Sequence, residues 1–312
     1  MSLFSLIAAL LLEQLHPLAT RKHLSIWLDE YVDFCRHHFN AGTHAHGRIA
    51  WLLAVLPPFL GSAVLYWLLY RVHPVFAWAF CVLVLYLSMG FRQVSHYFTG
   101  IHRALREENL QAARALLASW RGVSARELNG QEVARITIEE ALLAAHHYVF
   151  GVIVWFVIGM LSGLGPAGAV LYRLVLFLNA RWGRQDDAGI GGFGEFARIG
   201  YRWTEWLPIR LTAITFAIVG NFEDTLYCWR TQARSWPDPE AGIELASGAG
   251  ALGVNLGQSI PQGGTLLDRP ELGVGDAADA DFLQSTVGLV WRTLVFWMVL
   301  LLLLNLTALV GR

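Results

Sequence analysis

The sequence predicts an all-α fold: a polytopic integral membrane protein with several transmembrane helices and a cytoplasmic helical segment. Three observations carry this. Of 312 residues, 55% are hydrophobic and only 15% are charged, against roughly a quarter charged in soluble domains. Four runs, Ile49–Tyr70, Pro74–Phe91, Tyr148–Leu164 and Thr293–Val310, contain no charge at all. Each approaches the ~20 apolar residues that a helix needs to cross a bilayer core.

The elements follow in chain order. Residues 1–47 read as cytoplasmic or interfacial helices. The apolar run Ser2–Leu12 has no basic residue ahead of it, and Glu13 ends it. Without a small-residue cleavage site, this predicts a short packed or partly inserted helix, not a cleaved signal peptide. Residues 48–91 form a transmembrane hairpin, because only Arg71, Val72 and His73 join its two runs. Its first arm carries Pro57 and Pro58 in the middle. The flanks hold Arg21, Lys22, Arg36 and Arg48 on one side and Arg92, Arg103, Arg106, Arg114, Arg121, Arg126 and Arg135 on the other; the turn holds only Arg71. Positive flanks face the cytoplasm, which puts the N-terminus on the cytoplasmic side of the membrane.

Residues 92–145 are the cytoplasmic helical segment. Ile101, Leu105, Leu110, Ala113, Leu116 and Leu117 recur at helical spacing between charges, and Gly122 and Gly130 interrupt them. Glu132–Ala145 resumes as a helix that runs into the membrane. Residues 146–222 return to membrane helices: Tyr148–Leu164, a turn at Gly165-Pro166, and Ala167–Trp182. Arg173 in the last helix either meets a polar partner or snorkels to the surface. Gln185–Gly194 reads as a Gly/Asp loop, and its GIGGFG lacks the preceding strand that a dinucleotide site requires. Trp206–Gly220, with Pro208 and Arg210, is a broken span or an interfacial helix. Residues 223–286 are a polar loop region with a Gly/Ala-rich helix, Gly263–Asp281 being loop. Residues 287–312 close the chain with a transmembrane helix.

The net charge of −1 offers no basic footprint for nucleic acid. Cys35, Cys81 and Cys228 are odd in number and far apart, so they form no disulfide framework. His37, His38, His44 and His46 invite a metal argument, but a basic juxtamembrane segment near headgroups accounts for them. His146 and His147, at the mouth of a span, are weak metal or proton-relay candidates, with an ordinary interfacial histidine as the alternative.

Several blocks resemble the CobD/CbiB family of membrane-bound adenosylcobinamide-phosphate synthases. They are ALREENLQAARALL, QEVARITIE (131–139), GPAGAVLYR (165–173), LPIRLTA (207–213) and EAGIELASGAGALGVNLG (240–257), in the family's order. The resemblance implies an amide ligation that joins aminopropanol phosphate, or a similar amine, to the carboxylate of adenosylcobyric acid. Magnesium and ATP enter only with that ligase reading; otherwise no cofactor is expected. Carried over residue by residue, it implies Glu139, Arg135, Arg173 and Arg210 as catalytic positions and Gly253 and Asn255 as cofactor-binding ones.

The sequence departs from the family where acids are expected. Ala141–Phe150 reads ALLAAHHYVF, only Asn179 is polar after Tyr172-Arg173, and Tyr201, Arg202 and Trp203 replace an Asp pair. An AmpE-like branch is similar at Met1–Leu15, Glu139–Phe156, Gly165–Arg181, Trp206–Leu211 and Thr293–Val310. The first expectation is therefore an AmpE-like, catalytically degenerate member, a sensor or accessory in envelope or β-lactamase-induction signalling. The alternative is the cobalamin-biosynthesis ligase. A further one is a membrane assembly protein whose Trp-rich spans pack against a partner. The expected partners are the lipid bilayer and a second copy or membrane protein.

Overall fold

The computed structural model describes residues 2–15, 21–39, 44–183 and 191–310. The expectation for most of Gln185–Gly194 lies outside the described residues. The helices are α1 (Ser2–Leu15), α2 (Arg21–Phe39), α3 (His44–Val72), α4 (Pro74–Ser88), α5 (Phe91–Arg106), α6 (Leu110–Arg121) and α7 (Gly130–Ala145). After a π-helical turn at His146–Phe150 come α8 (Gly151–Leu161), α9 (Ala167–Leu178), α10 (Glu195–Val219), α11 (Phe222–Thr231), α12 (Pro239–Leu252) and α13 (Ala280–Val310). Three helical stretches are long and apolar enough to cross a membrane: His46–Val72, Gly130–Leu161 and Ala280–Thr307. The protein is an all-α polytopic membrane protein, and it folds as two compact units.

The first unit comprises Met1–Gly90 and His147–Pro208. Val32, Cys35, Ala50, Ala54, Leu178, Trp182 and Phe193 form a core that joins α2, α3 and α9. The prolines inside its helices are explained by two side chains. Pro57 and Pro58 cannot donate to the carbonyls four residues earlier, Leu53 and Ala54. The Tyr31 hydroxyl, on α2, lies 3.0 Å from Leu53 O and 3.4 Å from Ala54 O and donates to that pair. Pro208 likewise abandons Thr204 O, and Trp155 Nε1 donates to that oxygen at 3.0 Å. In lipid, where no water replaces a lost partner, such donors let a proline sit within a helix.

Helices α8 and α9 pack as a close hairpin. A Cβ on Gly168 would lie 1.9 Å from Trp155 O, and one on Gly159 would lie 2.5 Å from Gly165 O. The second arm of the expected transmembrane hairpin is shorter than predicted. Helix α4 ends at Ser88, and Met89 is extended, with φ −79° and ψ 149°. Its 15 residues reach about 22 Å, short of the ~30 Å hydrocarbon core. The N-terminal apolar helix α1 packs against it.

The second unit comprises Phe91–His146 and Ile209–Arg312. Helices α5, α6 and α7 share a core of Ile101, Ala104, Ala113, Leu117, Leu128, Val133 and Ile136, which Ile260 completes. Asn129 caps α7 with a reciprocal box: Glu132 N donates to its Oδ1 at 2.9 Å, and Asn129 N donates to Glu132 Oε2 at 2.7 Å. Helices α11 and α12 approach so closely that a Cβ on Gly250 would lie 2.5 Å from Asp224 O. The small residues of ASGAG are therefore a packing surface. On α13, Trp297 Nε1 donates to Thr215 Oγ1 on α10 at 3.1 Å.

Two findings correct expectations. The region after α12 carries short strands, β1 (Val254–Gly257), β2 (Ile260–Gln262), β3 (Thr265–Leu267), β4 (Glu271–Leu272) and β5 (Asp276–Ala277), the last three within Gly263–Asp281, which was expected as loop. β2 and β3 pair antiparallel through a Gly263-Gly264 turn whose φ values, 62° and 77°, suit glycine. β1 lies between β4, antiparallel, and β5, parallel. Strands this short show no alternation to read. The second finding is that α10 runs unbroken through Pro208 from Glu195 to Val219, with Trp155 compensating the proline.

Candidate functional site

The polar residues of α7 meet the β-rich segment in the second unit. Arg135 and Glu139 are one turn apart on α7, so they share a face. Both are buried, at 8% and 4% exposure. The carboxylate of Glu139 is gripped from the end of β1 and from the segment that follows β3. Gly257 N donates to Oε1 at 2.8 Å. Arg269 completes a two-pronged ion pair, Nη1 to Oε2 at 2.7 Å and Nη2 to Oε1 at 3.2 Å. Paired charges of this kind fix geometry as well as energy.

Arg269 uses its remaining donors on the same segment. Nη2 reaches Gly257 O at 2.9 Å and Nε reaches Gln258 O at 3.1 Å. Its guanidinium lies 5.4 Å from the centre of the Trp236 ring. Arg135 Nη1 donates to Gln258 Oε1 at 2.5 Å, and Nη2 lies 3.4 Å from Ser259 O. Gln258 adopts φ 61°, a strained value for a residue with a side chain. In that conformation its N donates to Pro270 O at 3.0 Å and its Nε2 to Glu271 Oε1 at 2.9 Å. Two cations and two carboxylates thus tie α7 to both feet of the β2–β3 hairpin.

The expected site residues fall into separate places. Glu139 and Arg135 come together with the Gly253–Gly257 strand. Gly253 ends α12 with φ 67°, and Asn255 Nδ2 donates to Gly275 O at 3.0 Å; both shape the backbone there. Arg210 is half-buried on the part of α10 in the same unit. His146 Nδ1 lies 3.0 Å from Thr212 Oγ1 and is fully buried. Arg173 belongs to the first unit, where its guanidinium lies 4.7 Å from the centre of the Tyr148 ring. That contact gives the guanidinium an aromatic partner.

His147, also in the first unit, joins a buried polar group that the sequence reading passed over. Its Nε2 lies 3.7 Å from Glu205 Oε1 and 3.4 Å from the Tyr201 hydroxyl. Tyr172 donates its hydroxyl proton to the same Glu205 oxygen at 2.8 Å. Glu205 and Tyr172 are fully buried. A Cβ on Gly151 would lie 2.0 Å from the Tyr172 oxygen, so glycine there makes the room. The signal was present: Tyr201-Arg202-Trp203 stands where an Asp pair was expected, and Glu205 follows two residues later. Arg269 and Gln258 had no such signal, because they lie beyond the last recognisable block. Among the described residues, no three or more His, Cys, Asp or Glu side chains are arranged to hold a metal ion.

The fold and this site define a polytopic membrane protein with a buried charged cluster at the end of a spanning helix. The chain belongs to the CobD/CbiB family: the model of the CobD/Cbib protein family matches residues 6–290. The cobalamin biosynthesis protein CobD of Stutzerimonas stutzeri is 37% identical over 307 residues, covering 97% of this chain and 98% of its own length. The protein of the same name from Chromobacterium violaceum is 38% identical over 216 residues, covering 69% and 67%. The cobalamin biosynthesis protein CbiB of Salmonella typhimurium is 26% identical over 233 residues, covering 71% and 69%. No solved structure matches. These relatives overturn the AmpE-like expectation, with its signalling role: similarity across nearly the whole chain is to proteins named for cobalamin biosynthesis. The expectation had rested on missing acids in Ala141–Phe150, a local departure that full-length similarity outweighs.

Proposed function

We propose that the protein is a cobalamin-biosynthesis enzyme of the inner membrane, an adenosylcobinamide-phosphate synthase. It joins the amine of aminopropanol phosphate, or a similar amine, to the carboxylate of adenosylcobyric acid. The new bond is an amide; the displaced carboxylate oxygen leaves with phosphate from ATP, and the amine gives up a proton. One observation carries the reading: two blocks of the family resemblance, QEVARITIE and GALGVNLG, converge on one hydrogen-bonded cluster, where Gly257 N meets Glu139 Oε1 at 2.8 Å. Relatives named for cobalamin biosynthesis support the pathway. Basic residues on both flanks of α3 and α4 support a cytoplasmic N-terminus.

Magnesium with ATP requires one or two protein carboxylates besides the phosphates. Glu139 does not fit that task as arranged. Its oxygens take three N–H donors, and a cation there would face Arg269 and Arg135. No step is therefore routed through a metal at this residue. The test is direct. The purified protein, in detergent or nanodiscs, is given adenosylcobyric acid, aminopropanol phosphate, ATP and magnesium. Amide product that depends on all substrates is expected. Failure to form it, together with failure to restore cobalamin synthesis to a strain lacking its own synthase, overturns the reading.

A further inference from the structure

We propose that Arg269 is a positioning residue of the amide-forming site, a role that rests on the ligase reading above. Arg269 lies outside every block that carries the family resemblance, yet it makes more contacts to the cluster than any residue inside one. All three of its nitrogens are engaged: two on Glu139, and two contacts on the carbonyls of Gly257 and Gln258. A guanidinium fork is rigid and planar, so this set fixes the plane of the Glu139 carboxylate, not only its charge. Trp236 backs the guanidinium.

The consequence lies in the acceptor count. A carboxylate offers about four lone-pair positions. Oε1 receives Gly257 N and Arg269 Nη2; Oε2 receives only Arg269 Nη1 among the described residues. One position on Oε2 is left, held in a fixed direction. An amine that must lose a proton as its amide forms presents an N–H to such a position. Glu139 is then the group that meets the amine, and Arg269 acts through it.

The test separates positioning from mere support. Arg269→Lys keeps the charge and loses the fork. The double variant Glu139→Gln, Arg269→Gln replaces the ion pair with neutral side chains of similar size, leaving no uncompensated charge. Both are assayed in the full chain for thermal unfolding and for kcat and KM with the amine. The expected result is a folded protein with kcat lowered about 100-fold, as misplacement of a reacting group by a fraction of a bond length produces, and with KM for ATP unchanged. A folded Arg269→Lys or double variant whose kcat stays within about threefold of the wild type overturns the proposal. That result leaves the ligase reading intact, whereas an inactive wild-type protein removes both.

Discussion

Glu139 and Arg269 bring opposite charges together across 130 residues of sequence, in a setting where neither meets much water. Removing one partner strands the other. Glu139→Ala should therefore cost about 3–5 kcal/mol of stability, read by denaturant titration in detergent; a loss under 1 kcal/mol would show that water already reaches the pair. Cys228 gives a second residue-scale prediction. Burial, aided by the nearby Asp224 charge, pushes its thiol up from 9.0 to about 11. The folded state thus holds this proton more tightly than the unfolded chain. Its contribution to stability is complete below pH 9.0 and is lost as pH rises through about 11. Thermal midpoints across that window should fall further for the wild type than for Cys228→Ala. Arg135 and Glu139 could be singled out in the sequence because they lie in QEVARITIE, a block that resembles its counterpart in the CobD/CbiB family. Arg269 could not be, since nothing in a Gly- and acid-rich stretch says which distant carboxylate it will find.

Prolines and glycines govern the elements. Tyr31 supplies the hydrogen bond that Pro57 and Pro58 cannot. Tyr31→Phe should cost about 1–3 kcal/mol, the penalty for orphaned polar groups. In a Pro57→Ala, Pro58→Ala background the same change should cost little, and equal costs in the two backgrounds would refute the compensation. Glycines divide by environment. Gly168→Ala should destabilise by about 1–3 kcal/mol through overpacking against Trp155 O. Gly61→Ala, where a Cβ meets nothing within 4 Å, should gain about 0.5–1 kcal/mol of helix stability. Uncharged runs located α3, α8 and the later turns of α13 from composition alone. They overestimated α4, because Met89 and Gly90 are apolar without being helical. The continuity of α7 into α8, expected from Glu132–Ala145 running into the next apolar run, is seen as one helical stretch from Gly130 to Leu161; Arg135 and Glu139 interrupt the hydropathy but not the hydrogen bonding.

For the whole molecule, the apolar windows of the three spanning stretches differ in burial: 11% for His46–Val72, 33% for Ala280–Thr307 and 67% for Gly130–Leu161. The first is thus the most lipid-facing, and the last is protein-packed on most sides. Membranes washed with alkaline carbonate should retain the protein, and its release into the supernatant would contradict insertion. Membrane character was readable from charge content; the division into two interleaved units was not, because each draws on distant parts of the chain. That interleaving bears on biogenesis. Glu139 leaves the ribosome 130 residues before Arg269, which at about 5–20 residues per second is a delay of roughly 6–26 seconds. Throughout that interval a spanning segment carries an acid without its cation. The nascent chain must shelter it in the translocon or hold that helix near the aqueous boundary, and premature termination before Arg269 should yield a product that quality-control proteases remove.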